Sequence, residues 1–367
     1  DNLGARKLCM MISANRSNSD EYYSQYGGSD ADLQLDKNGN RISSTVGYRV
    51  PTQNFINYKW EIIYKHCTDY PQMDTVVLEE PELWQAAGYS NAFKAEWQAY
   101  YGETWQDPST SAANQYKASR LKVYLWERFL ETLAQRTKQA FPNVKVLVAT
   151  HSVNSYNAIG MIAGTGHYTE LDGIDGVIGQ TWSDTAVNAI PYAGGSERRV
   201  FESSFVGYAS YVDTLTGNQT LYTLADPFSD AGNESWDFYR DVYKQTVVSQ
   251  LLQQDIQRFQ ETIWQNRSFS SDVPADYRTS QLNVFTALKE LSGKASALYG
   301  GSAGIGVALS DSLSWQYGSG TMAASNTGAG FYGMTVPLIE KGIPITIPSL
   351  EQVKTQADLA GLKLLIL

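Results

Sequence analysis

Apolar residues recur along the chain with two periods. Short, mostly apolar runs at 7–14 (KLCMMISA), 74–80 (DTVVLEE), 144–150 (VKVLVAT), 174–182 (IDGVIGQTW), 219–226 (QTLYTLAD) and 256–263 (IQRFQETI) read as buried strands. Between them the apolar positions fall three and four apart. Residues 52–67 predict a helix with Thr52 as N-cap and Phe55, Ile56, Trp60 and Ile63 on one face. Residues 112–140 carry a stripe of Leu121, Tyr124, Leu125, Phe129 and Leu133, and a third helix shows Trp236, Tyr239, Tyr243, Val247 and Leu251. Strands alternating with amphipathic helices predict a parallel sheet covered by helices, either closed as a barrel or open and doubly wound.

The positions of the polar residues favour the closed form, a (β/α)8 TIM barrel. No glycine-rich phosphate loop follows the first strand. Acidic, polar and aromatic residues instead gather just after strand ends: Glu79-Glu80, His151, Gln180 through Trp182 to Asp184, Asp226, and Glu261 to Trp264. In a barrel such ends converge on one mouth. Residues 293–330 are rich in Gly, Ser and Ala; a strand (305–309), a helix (331–341), a short strand (343–347) and the terminal LKLLIL then predict a small open α/β domain. The expected division is a barrel over 1–295 and an α/β domain over 296–367. Too few strands precede residue 74 for eight-stranded closure, and a bare apolar strand ends the sequence, so both ends read as incomplete.

With 38 acidic against 28 basic side chains, the net charge is −10 and opposes binding to a polyanion such as nucleic acid. No apolar run reaches the roughly 18 residues that span a bilayer, so no membrane partner is expected; whether the protein stays in the cytoplasm or is exported is left open. The 24 Tyr and 9 Trp supply flat rings that stack on sugars or fill large cores. Cys9 and Cys67, both in apolar segments, read as reduced core residues. His66, His151 and His167, placed in a helix, at a strand end and in a loop, lack metal-site spacing, and neither metal nor cofactor is expected. The GxGxxG string at 328–333 lies too far from a strand to hold a dinucleotide, and the GxSxG at 300–304 precedes a strand where a nucleophile elbow follows one.

The densest chemistry is Leu78-Glu79-Glu80-Pro81-Glu82-Leu83-Trp84. It reads either as a solvated acidic loop or as carboxyls at a barrel mouth. In the second case neighbouring carboxylates, with Trp84 and Tyr89, raise a carboxyl's pKa toward that of a general acid. Cleaving a glycosidic bond needs a second carboxyl, for which Glu202, Asp226, Asp230 and Glu261 are candidates. Asp226 ends an apolar strand, whereas Glu202 has apolar neighbours at helical spacing. His151 is placed to bind a sugar hydroxyl or to serve in the core.

The strand ending in Glu80, the stretch Gly88-Tyr89-Ser90-Asn91-Ala92-Phe93-Lys94-Ala95-Glu96-Trp97 to Tyr101-Gly102-Glu103, and the later α/β domain together resemble the trimer-forming bacterial β-galactosidases. That resemblance implies a retaining glycoside hydrolase with Glu80 as acid/base at the fourth strand and Asp226 near the nucleophile position. Glu79 stands where the family has Asn, and Asp226 where it has Glu. Glu79 would tune Glu80 or accept a hydroxyl hydrogen bond, while Trp84, Tyr89, Gln180, Trp182, Asp184 and Trp264 would line sugar subsites. A flavodoxin-like second domain and a homotrimer are further implications. A carbohydrate-binding barrel without catalysis, a phosphorylase, and a metal-dependent hydrolase using Asp226 and Asp230 remain as alternatives.

Overall fold

The computed structural model describes residues 7–17, 20–162, 164–168, 170–182, 189–192, 195–214, 219–228, 234–253, 255–260, 265–291, 304–317 and 328–367. The chain forms two compact units, Asp1–Gly176 with Asp311–Met322, and Val177–Ser310 with Ala323–Leu367.

The first unit is built on three parallel strands. β1 (Leu8–Ser13) pairs with β2 (Met73–Glu79), which pairs in turn with β4 (Lys145–His151); β3 (Leu83–Trp84) and β5 (Met161–Ile162) form a separate antiparallel ladder. Register aligns Ile12, Leu78 and Val148 in one row and Ser13, Glu79 and Ala149 in the next. Because side chains alternate along a strand, these rows face opposite ways. Val76, Leu78, Val146 and Val148 join the large core made with α2 (Gln53–Asp69) and α4 (Ala112–Ala140), including Phe55, Ile63, Leu125, Trp126 and Phe129. Glu79 and His151 therefore lie on the face away from those helices. As expected, Thr52 caps α2 by accepting from the Phe55 amide. Between β1 and α2 lies a long loop that includes α1 (Asp20–Gln25), and it is held by a buried arginine. Arg49 pairs with Asp32 at 3.1 Å, donates to the Ser17 and Ser29 carbonyls, and sits over the rings of Tyr22 and Tyr23. A charge this deep is tolerable because each of its three nitrogens has a partner, Nη2 donating to the Tyr23 hydroxyl.

In the second unit β6 (Gly176–Thr181), β9 (Thr220–Ala225) and β10 (Phe259–Gln260) follow one another in the sheet, with β10 parallel to β9. β7 (Ala189–Tyr192) and β8 (Gly195–Arg198) make a hairpin. The helices are α7 (Val200–Thr214), α8 (Trp236–Leu251) and α9 (Ala275–Leu291); the first unit has already used α3 (Asn91–Tyr101), α5 (Val153–Ile159) and α6 (Thr165–Tyr168). Gly179 is required where it is, since a Cβ there would come within 2.4 Å of the Tyr211 ring. β11 (Ile305–Val307) and β12 (Leu364–Ile366) pair in parallel, and α10 (Gly330–Glu340) packs Phe331, Tyr332 and Val336 with Val307 and Ile347 in a core shared with Val206 and Ala209 of α7.

The parallel strands and covering helices fall where the apolar pattern places them, but an eight-stranded closure is not present among the described residues. The strand expected over 256–263 is described only as Phe259–Gln260, and that expected over 343–347 is reduced to an isolated bridge at Thr346. Cys9 is a correction: it is exposed, because β1 pairs only with β2 among the described residues, while Cys67 is buried. His167 is another, lying in α6 and facing Glu127 at 3.2 Å.

Candidate active site

The end of β2 turns sharply. Glu80 has φ 54°, and among the described residues it is the one non-glycine with positive φ. Left-handed backbone is costly for a side chain of this length and persists only where surrounding contacts impose it. Those contacts are present. The Glu80 amide donates to the Ala149 carbonyl at 2.9 Å, the Glu82 amide returns to the Glu80 carbonyl at 3.0 Å across Pro81, and the Tyr168 hydroxyl donates to the Pro81 carbonyl at 2.7 Å.

The turn leaves the Glu80 side chain 24% exposed, with one carboxylate oxygen taking a hydrogen bond from Arg16 Nη2 at 2.7 Å and the other 3.7 Å from His151 Nε2. Arg16 lies just beyond β1, where it bridges to Tyr48, and its Nε donates to Ser13 Oγ at 3.0 Å. Lys59 of α2 fixes this stretch from behind, donating to the Ser13 carbonyl at 2.7 Å and the Arg16 carbonyl at 2.8 Å. Burial, with Arg16 adjacent, pushes the Lys59 amine down to about 7.

Glu80 and Glu82 part company electrostatically. Burial pushes the Glu80 carboxyl up, but the hydrogen bonds and charges of His151 and Arg16 outweigh it and hold Glu80 below the ordinary carboxylate value. Glu82, fully buried, is pushed well above that value by burial and by the charge of Glu80. Its Oε1 accepts from Asn15 Nδ2 at 2.8 Å, and its Oε2 meets the Tyr156 hydroxyl at 3.1 Å. The expected elevation at Glu80 is thus corrected: His151 and Arg16, both far from it in sequence, override its burial, and the elevation falls on Glu82. Sequence reasoning missed Asn15, Arg16, Tyr48, Glu82's separate role and Tyr156.

The remaining candidates are placed as follows. Glu79 is buried beside this turn, on the sheet face it shares with His151. His151 is buried and makes an edge contact with Tyr156 at 5.2 Å. Trp84 is half-buried, with its ring edge-on to Tyr48 at 5.7 Å and its amide bonded to Gln34. Tyr89 turns to a different cluster, donating to Asp107 at 2.8 Å and packing on Trp105.

In the second unit, Asp226 follows β9 and is 2% exposed; its amide donates to the Thr181 carbonyl and its Oδ1 accepts from the Phe228 amide at 3.1 Å. Gln180 is 1% exposed on β6, with neither side-chain amide atom hydrogen-bonded among the described residues. Trp182 is half-buried just after β6. Glu202 is in the first turn of α7, 3.5 Å from Arg199, which also engages Glu197 and Glu340. Asp184, Asp230, Glu261 and Trp264 lie outside the described residues. Among the described residues no group of His, Cys, Asp and Glu is arranged to hold a metal ion, and no helix is long and apolar enough to cross a membrane.

No family model matches the sequence, and no curated protein matches it. Solved structures do. A GH42 β-galactosidase from G. stearothermophilus, Gan42B in a catalytic-mutant form, superposes with TM-score 0.60 at 12% identity over 97% of this chain. A β-galactosidase from the Antarctic haloarchaeon Halorubrum lacusprofundi gives 0.63 at 9% over 97%, and one from Rahnella sp. R3 gives 0.58 at 10% over 98%. The chain spans 57%, 58% and 56% of those chains respectively, a little more than half of each. At such identity the likeness is one of fold: the chain has a glycosidase-like α/β fold similar to that of GH42 β-galactosidases.

Proposed function

We propose that the protein is a carbohydrate-active barrel that cleaves a glycosidic bond, with Glu80 as the acid/base carboxyl. The observation that carries the reading is the strained turn at the end of β2, which presents a half-open carboxylate between a guanidinium and an imidazole. Strain of this kind, imposed by the surroundings at a strand end, is the signature of a group held for use. Asp226 is assigned the second carboxyl's role from its position at the end of β9 and from the resemblance in the sequence. Gln180, Trp182 and Trp84 offer the amide and ring surfaces that sugars require. A β-galactoside is the first substrate to test, because the matched solved structures are β-galactosidases. The division into a barrel over 1–295 and an association domain over 296–367, with a homotrimer, belongs to the same proposal and is tested by light scattering.

Replacing Glu80 with Gln is expected to lower turnover by about 10²- to 10⁴-fold, the usual contribution of a positioned acid/base, while leaving glycan binding nearly intact. Undiminished turnover excludes the assignment. The clamp of Arg16 on Glu80 favours a second reading, a carbohydrate-binding barrel without catalysis. Calorimetry on a panel of glycans beside product analysis separates the two: heat of binding with no product supports the second reading.

A further inference from the structure

Glu82 is a buried carboxyl that the proposed chemistry does not use. It is two residues from Glu80 and fully buried, yet it is bonded to side chains from two distant parts of the first unit: Asn15 beyond β1 and Tyr156 of α5. Its amide closes the turn onto the Glu80 carbonyl. Facing it are Glu79 and Glu80 from its own segment, Arg16 and Tyr48 from the loop after β1, and Tyr156 and Tyr168 from α5 and α6. A carboxyl in this setting has no solvent to support a charge, and Arg16 is already committed to Glu80.

We propose that Glu82 is the positioning residue of the Glu80 turn: its carboxyl, pinned between Asn15 and Tyr156, forces Glu80 into left-handed backbone and so aims the Glu80 carboxylate at Arg16 and His151. The uncharged acid fits both contacts, since its carbonyl oxygen accepts from Asn15 Nδ2 and its hydroxyl meets the Tyr156 hydroxyl, a pairing possible in either sense. Ionising Glu82 would place a second negative charge beside Glu80 in a dry site and loosen the turn. The inference deepens the acid/base reading and, for its catalytic consequences, rests on it.

Two measurements test it on the full chain. The first needs no substrate: NMR titration of the protein carrying ¹³C-labelled glutamate carboxyls, in wild type and in Glu82→Leu. Glu82 is expected to stay protonated through neutral pH, and in Glu82→Leu the Glu80 midpoint is expected to rise toward the ordinary carboxylate value as Arg16 and His151 lose their aim. An ionised Glu82 at neutral pH, or a Glu80 midpoint unmoved in the variant, overturns the proposal whatever the protein acts on. The second uses turnover and guards against a variant that does not fold. Glu82→Gln mimics the neutral acid, giving a carbonyl to Asn15 and an N–H to Tyr156, and is expected to keep kcat within about threefold, whereas misplacement in Glu82→Leu costs about a hundredfold. Turnover in Glu82→Leu equal to that of Glu82→Gln overturns the proposal, while wild type inactive on every glycan with the titration as expected overturns only the catalytic reading.

Discussion

The ends of β2 and β9 each bring an acidic residue to the close of an apolar strand, and the two are held by opposite means. Glu80 sits on strained backbone, half-open, with its oxygens engaged by the side chains of Arg16 and His151. Asp226 is almost fully buried and gives one oxygen to the amide two residues on, a local turn that aspartate forms readily before a proline-led segment. The first arrangement costs backbone energy and draws Arg16 and His151 from far along the sequence, whereas the Phe228 amide that Asp226 accepts from lies two residues on. A strand-end carboxylate is therefore not by itself a sign of chemistry, and what distinguishes Glu80 is the effort of the surrounding fold to hold it.

The comparison can be broken most directly by paired substitutions. Besides the loss expected for Glu80→Gln, Asp226→Asn retains an acceptor for the Phe228 amide, so its fold is expected to survive while turnover falls at least about a hundredfold. Full turnover in a stably folded Asp226→Asn would leave that residue a turn-former alone. Next in size is the foundation of the Glu80 site. Asp32→Ala strands the buried Arg49 and is expected to cost about 3–5 kcal/mol in denaturant unfolding. In the second unit, Gly179→Ala drives a methyl group into Tyr211 and is expected to cost about 1–3 kcal/mol.

A subtler change sharpens the contrast through pH. Arg16 helps to hold the Glu80 carboxyl below its ordinary value, so activity that needs protonated Glu80 is present below that value and lost as pH rises through it. Arg16→Gln raises the Glu80 value, and the descending limb of kcat/KM against pH is expected to move to higher pH. A limb that stays in place separates Glu80 from the acid step. The smallest effect is expected at His167. Burial pushes this imidazole down, but Glu127 and Asp311 outweigh burial and raise it, so its contribution to stability is complete below the unfolded-state value and lost as pH rises through the folded one. The Tm gap between wild type and His167→Gln should be widest in acid and correspond to less than about 1 kcal/mol.

Much of the framework was legible because it is local. The stripe from Leu121 to Leu133 buries as one face of α4, and Thr52 caps α2, since a helix period and a capping hydroxyl depend only on near neighbours. Glu79, Glu80 and His151 could be placed at strand ends by the same logic. The electrostatics could not, because the groups that decide it come from elsewhere. Arg16 reaches Glu80 across 64 residues, Asn15 reaches Glu82 across 67 and Tyr156 reaches Glu82 across 74, whereas reading along LEEPE shows only like charges. The direction of Tyr89 was hidden for a related reason: its hydroxyl donates to Asp107, 18 residues away, in a turn whose direction the sequence does not encode in any short pattern.

The amine of Lys59 has one further consequence. It has two carbonyl partners, at Ser13 and Arg16, and an unprotonated amine still carries two hydrogens. With its value near 7, Lys59 gains and sheds a proton around neutrality without giving up either bond. The fastening of the segment that delivers Asn15 and Arg16 is thereby insulated from acidity, even though the carboxyls which those residues serve are governed by it.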